Sequence, residues 1–207
     1  LASDRLTLGF DTSAAHCAAA LLSGDRVLAS RLEDMRKGQA ERLMPFLQEL
    51  LAEADATWTD LEALGVGIGP GNFTGVRIAV AAARGLALGL GIPVEGVAAA
   101  EAYAAGRDVV VCLPAPRDMV HFIHGDVIEL AALSAVPSGW NAPLTGPAAI
   151  RVAEATGRAL AETPALAVEV ARIATRRAAA GRPRPAPIYL RPADAAPASD
   201  PPPVILP

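Results

Sequence analysis

Aromatic side chains are scarce in this chain, 4% of 207 residues. A core must therefore come from Leu, Val, Ile and Ala, and at 52% apolar residues there is enough material for one large domain or two small ones. Cysteine is scarcer still. Cys17 and Cys112 lie far apart with no C-x-x-C spacing, which leaves no disulfide framework to read and points to a reduced, intracellular setting. No apolar run reaches the ~18 uncharged residues that span a bilayer, and Leu1 to Arg5 carries no signal-like apolar stretch. The expected compartment is the cytoplasm, without a membrane. Positive charge is in deficit, with a net charge of −4, which argues against a broad phosphate-binding surface. Neither G-x-x-x-x-G-K-[ST] nor a G-x-G-x-x-G after a strand is present. No repeat with a fixed period of 20–50 residues is visible.

What the chain does have is punctuation. Short apolar runs at residues 6–10, 16–22 and 27–33 predict three strands, separated by Asp11-Thr12-Ser13 and by a Ser-Gly-Asp-Arg hairpin turn. Helical spacing from Ala40 through Leu43, Leu47 and Leu51 predicts a helix over residues 39–54, with Pro45 awkward inside it. Thr59 to Glu62 fits a capping box and a short helical turn. A strand at 63–68 leads into the most distinctive stretch, residues 67–77, where four glycines and a proline fall within nine residues. A helix over 72–90 follows, stopped by Gly91 and Pro93. A fifth strand at 93–97 and a short helix at 98–105 complete this part.

After Gly106 the character changes. Strands are expected at 109–113, 119–123 and 127–133, a short helix at 148–155, and a stronger helix to about 180 with Thr163 as N-cap and Pro164 at N1. The segment from 181 is proline-rich, with Ile188-Tyr189-Leu190 able to dock in extended form. The order β-β-β-α-β-α-β-α with a polar turn after the first strand suggests one half of an actin-like, sugar-kinase-like α/β fold. The expected organisation is a first lobe over 1–105, a smaller second lobe over 106–180 and a tail over 181–207 that docks in part.

Several of these stretches resemble the TsaB (YeaZ) family. They are Leu8 to Ser13, Glu41-Arg42-Leu43-Met44-Pro45, Gly67 to Arg77, Gly85 to Gly89 with Ile92-Pro93, and Pro187 to Pro192. The resemblance implies a two-lobed fold of the actin-like, sugar-kinase-like (ASKHA, ribonuclease H-like) type. It implies a non-catalytic subunit that binds TsaD, the synthase that places a threonylcarbamoyl group on adenosine 37 of tRNAs reading codons that begin with A. It implies further a TsaE ATPase acting through the complex, tRNA met indirectly, and a homodimer as one state of the isolated chain. It also implies where TsaD keeps its metal: an H-x-x-x-H pair that falls here on Ala99 and Tyr103, neither a standard ligand. His121 and His124 do not replace it, because residues three apart on a strand point to opposite faces.

Nucleotide binding would draw on Asp11, Thr12 and Ser13 for a first loop and on Gly69 and Gly71 for backbone N–H groups. The adenosine pocket and catalytic carboxylate of a kinase are not visible, so no cofactor is expected. The glycines read better as turn formers that bring a helix close to the sheet. Cys17 reads as a small core residue. Two stripes of small residues mark the second helix, Ala79-Ala83-Ala87 and Ala81-Gly85-Gly89. The resemblance places a TsaD-binding surface on the first two helices, and the residues expected there are Leu43, Phe46, Leu47, Leu50, Arg77, Ala79, Ala83, Arg84 and Ala87. The competing readings are a small actin-like kinase or ATPase acting alone and a degenerate metallopeptidase.

Overall fold

A computed structural model describes residues 5–179, 181 and 183–190. The chain opens as an antiparallel meander, β1 (Leu6–Asp11), β2 (His16–Ser23) and β3 (Arg26–Asp34), with Gly24 at φ 59° in the tight turn. α1 (Gln39–Glu53) follows, then a 3₁₀ turn at Trp58–Asp60, β4 (Ala63–Gly67), α2 (Phe73–Leu90), β5 (Val94–Val97) and α3 (Ala99–Ala104). β4 and β5 join β1 in parallel and give a sheet of order β3-β2-β1-β4-β5. The second part holds β6 (Val110–Ala115), β7 (Met119–His124), β8 (Val127–Ala132), β9 (Leu144–Thr145), α4 (Ala149–Thr156) and α5 (Leu166–Arg177). Its sheet runs β8-β7-β6-β9.

One face of the first sheet is covered by α1 and α2. Leu43, Phe46, Leu47 and Leu50 from α1 and Ala79, Ala83 and Ala87 from α2 pack there with Leu8, Phe10, Leu21 and Leu64. This corrects the expected surface, because those seven residues face the chain's own sheet. Full burial of a Leu or Phe side chain contributes ~1.5–3 kcal/mol, and that favours the inward orientation over an open one. Pro45 sits inside α1 without ending it. Its missing N–H falls opposite the Glu41 carbonyl, and both residues are exposed, so water can take the unpaired group. By length and composition α2 could cross a membrane, yet its Ala79-Ala83-Ala87 side is seated on the first sheet.

The opposite face is covered by α5, the last helix, which touches β1, β4, β2 and β5. This redraws the expected lobes, since α5 was assigned to the second. The cause is a slot cut by small residues. A Cβ on Gly9 would stand 2.5 Å from the Ala171 nitrogen, and one on Gly65 would stand 2.7 Å from the Val170 carbonyl oxygen. Ala18 and Ala20 keep the same floor low against Ala167 and Ala171. With its other side, through Leu166, Val170 and Ile173, α5 meets α3 and the second sheet, so it belongs to both cores. α4 closes the far face of the second sheet over Val110, Cys112, Val120 and Phe122.

α5 begins later than expected. Its N-cap is Ala165, and the Thr163 hydroxyl instead accepts from the Gly146 N–H at 3.1 Å. The expected docking of Ile188-Tyr189-Leu190 is found: the Ile188 N–H donates to the Ile68 carbonyl at 2.8 Å. Arg191 and Pro192 of the tail motif, with the rest of the tail after Leu190, lie outside the described residues.

Candidate functional site

Two loops meet at the carboxyl end of β1 and β4, beside the cleft between the sheets. The first is Asp11-Thr12-Ser13. The second is the glycine stretch from Gly67 to Gly75, which contains a cis Gly69–Pro70 bond. The sequence candidates Asp11, Thr12, Ser13, Gly69 and Gly71 are therefore brought together, in the positions a phosphate cradle would need.

The cradle is closed on itself. The Asn72 N–H donates to the Ser13 carbonyl at 2.6 Å, and the Thr12 hydroxyl donates to the Gly75 carbonyl at 2.7 Å. Asn72 also caps α2: its Oδ1 accepts from the N–H groups of Thr74 and Gly75, both at 3.0 Å. Three of the N–H groups at this helix start, those of Asn72, Thr74 and Gly75, are thus taken by the protein itself. The glycines are needed for the closure itself. A Cβ on Gly75 would stand 1.9 Å from the Thr12 carbonyl oxygen, and one on Gly71 would stand 2.3 Å from the Ser13 carbonyl oxygen. Absence of side chains here makes room for the neighbouring backbone.

Asp11 is fully buried. Its Oδ1 accepts from the Ser13 N–H at 2.8 Å and the Ser13 hydroxyl at 2.9 Å, and His16 Nε2 lies 2.9 Å from the same oxygen. Its Oδ2 has no partner and points at the Gly67 backbone, where a Cβ would fall 1.8 Å away. Ser, Asp and His do meet, but both others bind the carboxylate, and no Ser13–His16 bond exists to draw a proton from the hydroxyl. The arrangement holds the turn after β1 and activates nothing. His16 was not expected here; the β1–β2 register pairs Asp11 with Ala18, and His16, two residues before Ala18 on the same side of β2, reaches the carboxylate from there.

Ala99 and Tyr103, at the positions matching the metal pair of TsaD, lie one helical turn apart on α3 and are buried. Burial pushes the Tyr103 phenol well up, with the Asp11 charge adding to it. Among the described residues no group of three His, Cys, Asp or Glu side chains is placed to hold a metal ion. His121 and His124 separate as the strand period requires. His121 lines the cleft, while His124 Nε2 bonds Asp108 at 2.7 Å and its ring sits 5.5 Å from that of Trp140. Cys17 and Cys112 are buried thiols pushed up by desolvation to about 11 and about 12, the opposite of an activated nucleophile.

Of the expected surface residues, only Arg77 and Arg84 are exposed, and the tail holds both. Arg77 Nε donates to the Tyr189 hydroxyl at 2.9 Å while its guanidinium lies 3.7 Å from the Phe73 ring centroid. Arg84 Nε donates to the Pro185 carbonyl at 2.8 Å. The outer side of the helix pair carries other residues: Met44 of α1 and Ala81, Gly85, Leu88 and Gly89 of α2. A Cβ on Gly85 or Gly89 would meet nothing within 4 Å, and Leu88 is 79% exposed. The second small stripe was legible in the sequence, but nothing there marked it as the outer one.

Comparison with known proteins gives a consistent placement. The family model described as TsaD, tRNA N6-adenosine threonylcarbamoyltransferase, matches residues 33–185. No curated protein matches the chain. Among solved structures, YeaZ from Pseudomonas aeruginosa is similar with a TM-score of 0.66 and 26% identity, covering 90% of this chain and 100% of its own. A second Pseudomonas aeruginosa structure, an uncharacterized protein with similarity to peptidase YEAZ, gives 0.65, 26% and the same coverage. Component A of the Acidaminococcus fermentans (R)-2-hydroxyglutaryl-CoA dehydratase reaches 0.54 at 11% identity, over 83% of this chain and 98% of its own, which shows the fold alone. That fold is the actin-like, sugar-kinase-like α/β type, as the sequence implied.

Proposed function

The chain belongs to the family described as TsaD, tRNA N6-adenosine threonylcarbamoyltransferase, and from that membership we propose that it serves tRNA threonylcarbamoylation as a non-catalytic subunit. It docks on a separate catalytic TsaD chain and supports modification of adenosine 37 in tRNAs that read codons beginning with A. A TsaE-type ATPase joins through the complex, tRNA is met through the partner, and the setting is the cytoplasm. A second copy is the alternative occupant of the same surface when TsaD is absent.

One observation carries this reading: the outer side of α1 and α2, where Gly85 and Gly89 leave open space beside an almost fully exposed Leu88. A backbone that bare lets another helix approach closely, and Leu88 and Met44 give it apolar area to bury. The non-catalytic part of the reading is supported by the loops tied to each other through the Asn72–Ser13 and Thr12–Gly75 bonds, and by Ala99 and Tyr103 at the metal-pair positions. The kinase or ATPase alternative needs those same donors for phosphate. The metallopeptidase alternative needs ligands at positions where this chain has alanine and tyrosine.

The test is Leu88→Glu, read by thermal melting of the chain alone and by titration with its cognate TsaD. Leu88 touches little of its own fold, so melting is expected to stay within ~0.5 kcal/mol of the parent. In a close helix contact the new carboxylate is buried unpaired, at a cost of about 3–5 kcal/mol. At 1.4 kcal/mol per tenfold, that weakens binding on the order of a thousandfold. Intact binding with intact folding removes this surface from the proposal.

A further inference from the structure

Between the two sheets lies a cavity of about 1110 Å³, above the usual range for small-molecule sites. Its walls come from the Ser13 turn, the glycine loop, α3, the β6–β7 hairpin and the docked tail. The chain carries 22 acidic residues against 18 basic ones, yet among the described residues no Asp or Glu lines this cavity. Arg36 and Arg77 do. Arg77 is bound only to neutral partners, the Tyr189 hydroxyl and the Phe73 ring. Arg36 has no carboxylate partner among the described residues. Most of the remaining wall is apolar, through Tyr103, Leu113, Leu166 and Ile188, with the Phe73 and Tyr189 rings 4.9 Å apart at the rim.

These features select a ligand chemistry. A polyphosphate needs several backbone donors, and the N–H groups of Asn72, Thr74 and Gly75 are already engaged within the protein. Asp11 is a buried carboxylate bonded to Ser13 of the cavity wall, which turns an anion away from that end and toward the arginines. An apolar molecule without charge would leave two cations facing the cavity unanswered. We propose that the cavity binds a small molecule with a flat apolar body and a single negative charge. The body lies against Tyr103, Leu113 and Ile188, and the charge pairs with Arg36, with Arg77 adding its field.

Calorimetric titration with naphthalene-2-carboxylate and with its neutral analogue 2-naphthamide tests this. The expected result is one saturable site that takes the carboxylate at least tenfold more tightly than the amide. Arg36→Ala is expected to reduce that ratio to near one. Arg26→Ala, which removes an exposed charge at the start of β3, leaves it unchanged; melting curves show whether each variant is folded. The proposal is overturned if neither compound binds at millimolar concentration, if the two bind equally, or if both arginine variants lower the ratio alike. Displacement of the carboxylate by ATP at lower concentration than by free carboxylate also overturns it, and returns the cavity to polyphosphate chemistry.

Discussion

Gly75 and Gly85 stand in the same helix, and the same substitution at each is expected to act with opposite sign. Alanine in a helix interior is favoured over glycine by ~0.8–1 kcal/mol. At Gly85 the new methyl meets nothing within 4 Å, so Gly85→Ala keeps that gain. In a chain of this length ~1 kcal/mol corresponds to a melting rise of roughly 2–4 °C. At Gly75 the methyl would stand 1.9 Å from the Thr12 carbonyl oxygen, far inside contact. The atoms struck are backbone, so relief requires the two loops to part. Overpacking costs ~1–3 kcal/mol. Parting also threatens the 2.6 Å Asn72–Ser13 and 2.7 Å Thr12–Gly75 hydrogen bonds, each contributing ~1 kcal/mol. Set against the propensity gain, Gly75→Ala is expected to lose ~2–4 kcal/mol, a melting drop of roughly 4–16 °C. Calorimetry or circular dichroism on the three proteins decides it. Should Gly75→Ala melt at or above the parent, the loops are not sealed against each other, and the case against phosphate binding fails with them.

Thr12→Val keeps the shape but removes the donor to the Gly75 carbonyl, so denaturant titration should show a loss of ~1–3 kcal/mol from one unsatisfied buried acceptor. Native Cys17 and Cys112 are expected to resist a thiol reagent at pH 8 and to react once the chain is unfolded. Their thiols titrate at about 11 and about 12 when folded against 9.0 for the free group. The unfolded chain therefore loses these protons first, and the stability they confer is complete below pH 9 and lost as pH rises through 11 to 12. A Cys17→Ala, Cys112→Ala protein should show a shallower alkaline decline. Arg84→Ala removes the bond to Pro185, and hydrogen exchange is expected to speed at the Ile188 N–H while the N–H groups of β1 keep their protection.

The opening meander was legible because its turns are chemically unambiguous, and α2 because Gly91 and Pro93 mark a sound stop at its end. Which side of α2 faces inward was not legible. Ala79-Ala83-Ala87 and Ala81-Gly85-Gly89 are equally small and equally periodic, so helical spacing groups residues without orienting the groups. The place of α5 was hidden for a different reason. Its slot is cut by Gly9 and Gly65, and nothing local to residues 166–177 names them as partners. β9 is only two residues long, too short to leave a periodic trace. Asp11, Thr12 and Ser13 were grouped with Gly69 and Gly71 as nucleotide candidates and the fold brings the two loops together, but sequence could not tell a cradle that is open from one that is shut.

The slot for α5 also sets an order of events at the ribosome. β1, β2 and β3 emerge first, with Ala18, Ala20 and Leu22 lining one side of the young sheet. The helix that covers that side begins roughly 130 residues after β3 ends. At ~5–20 residues per second, the nascent chain carries an uncovered apolar sheet for on the order of ten seconds. During that interval it is a substrate for chaperones and for other nascent chains. A premature stop anywhere before Leu166 leaves it so permanently, and cells are expected to clear such fragments rather than accumulate a folded first lobe.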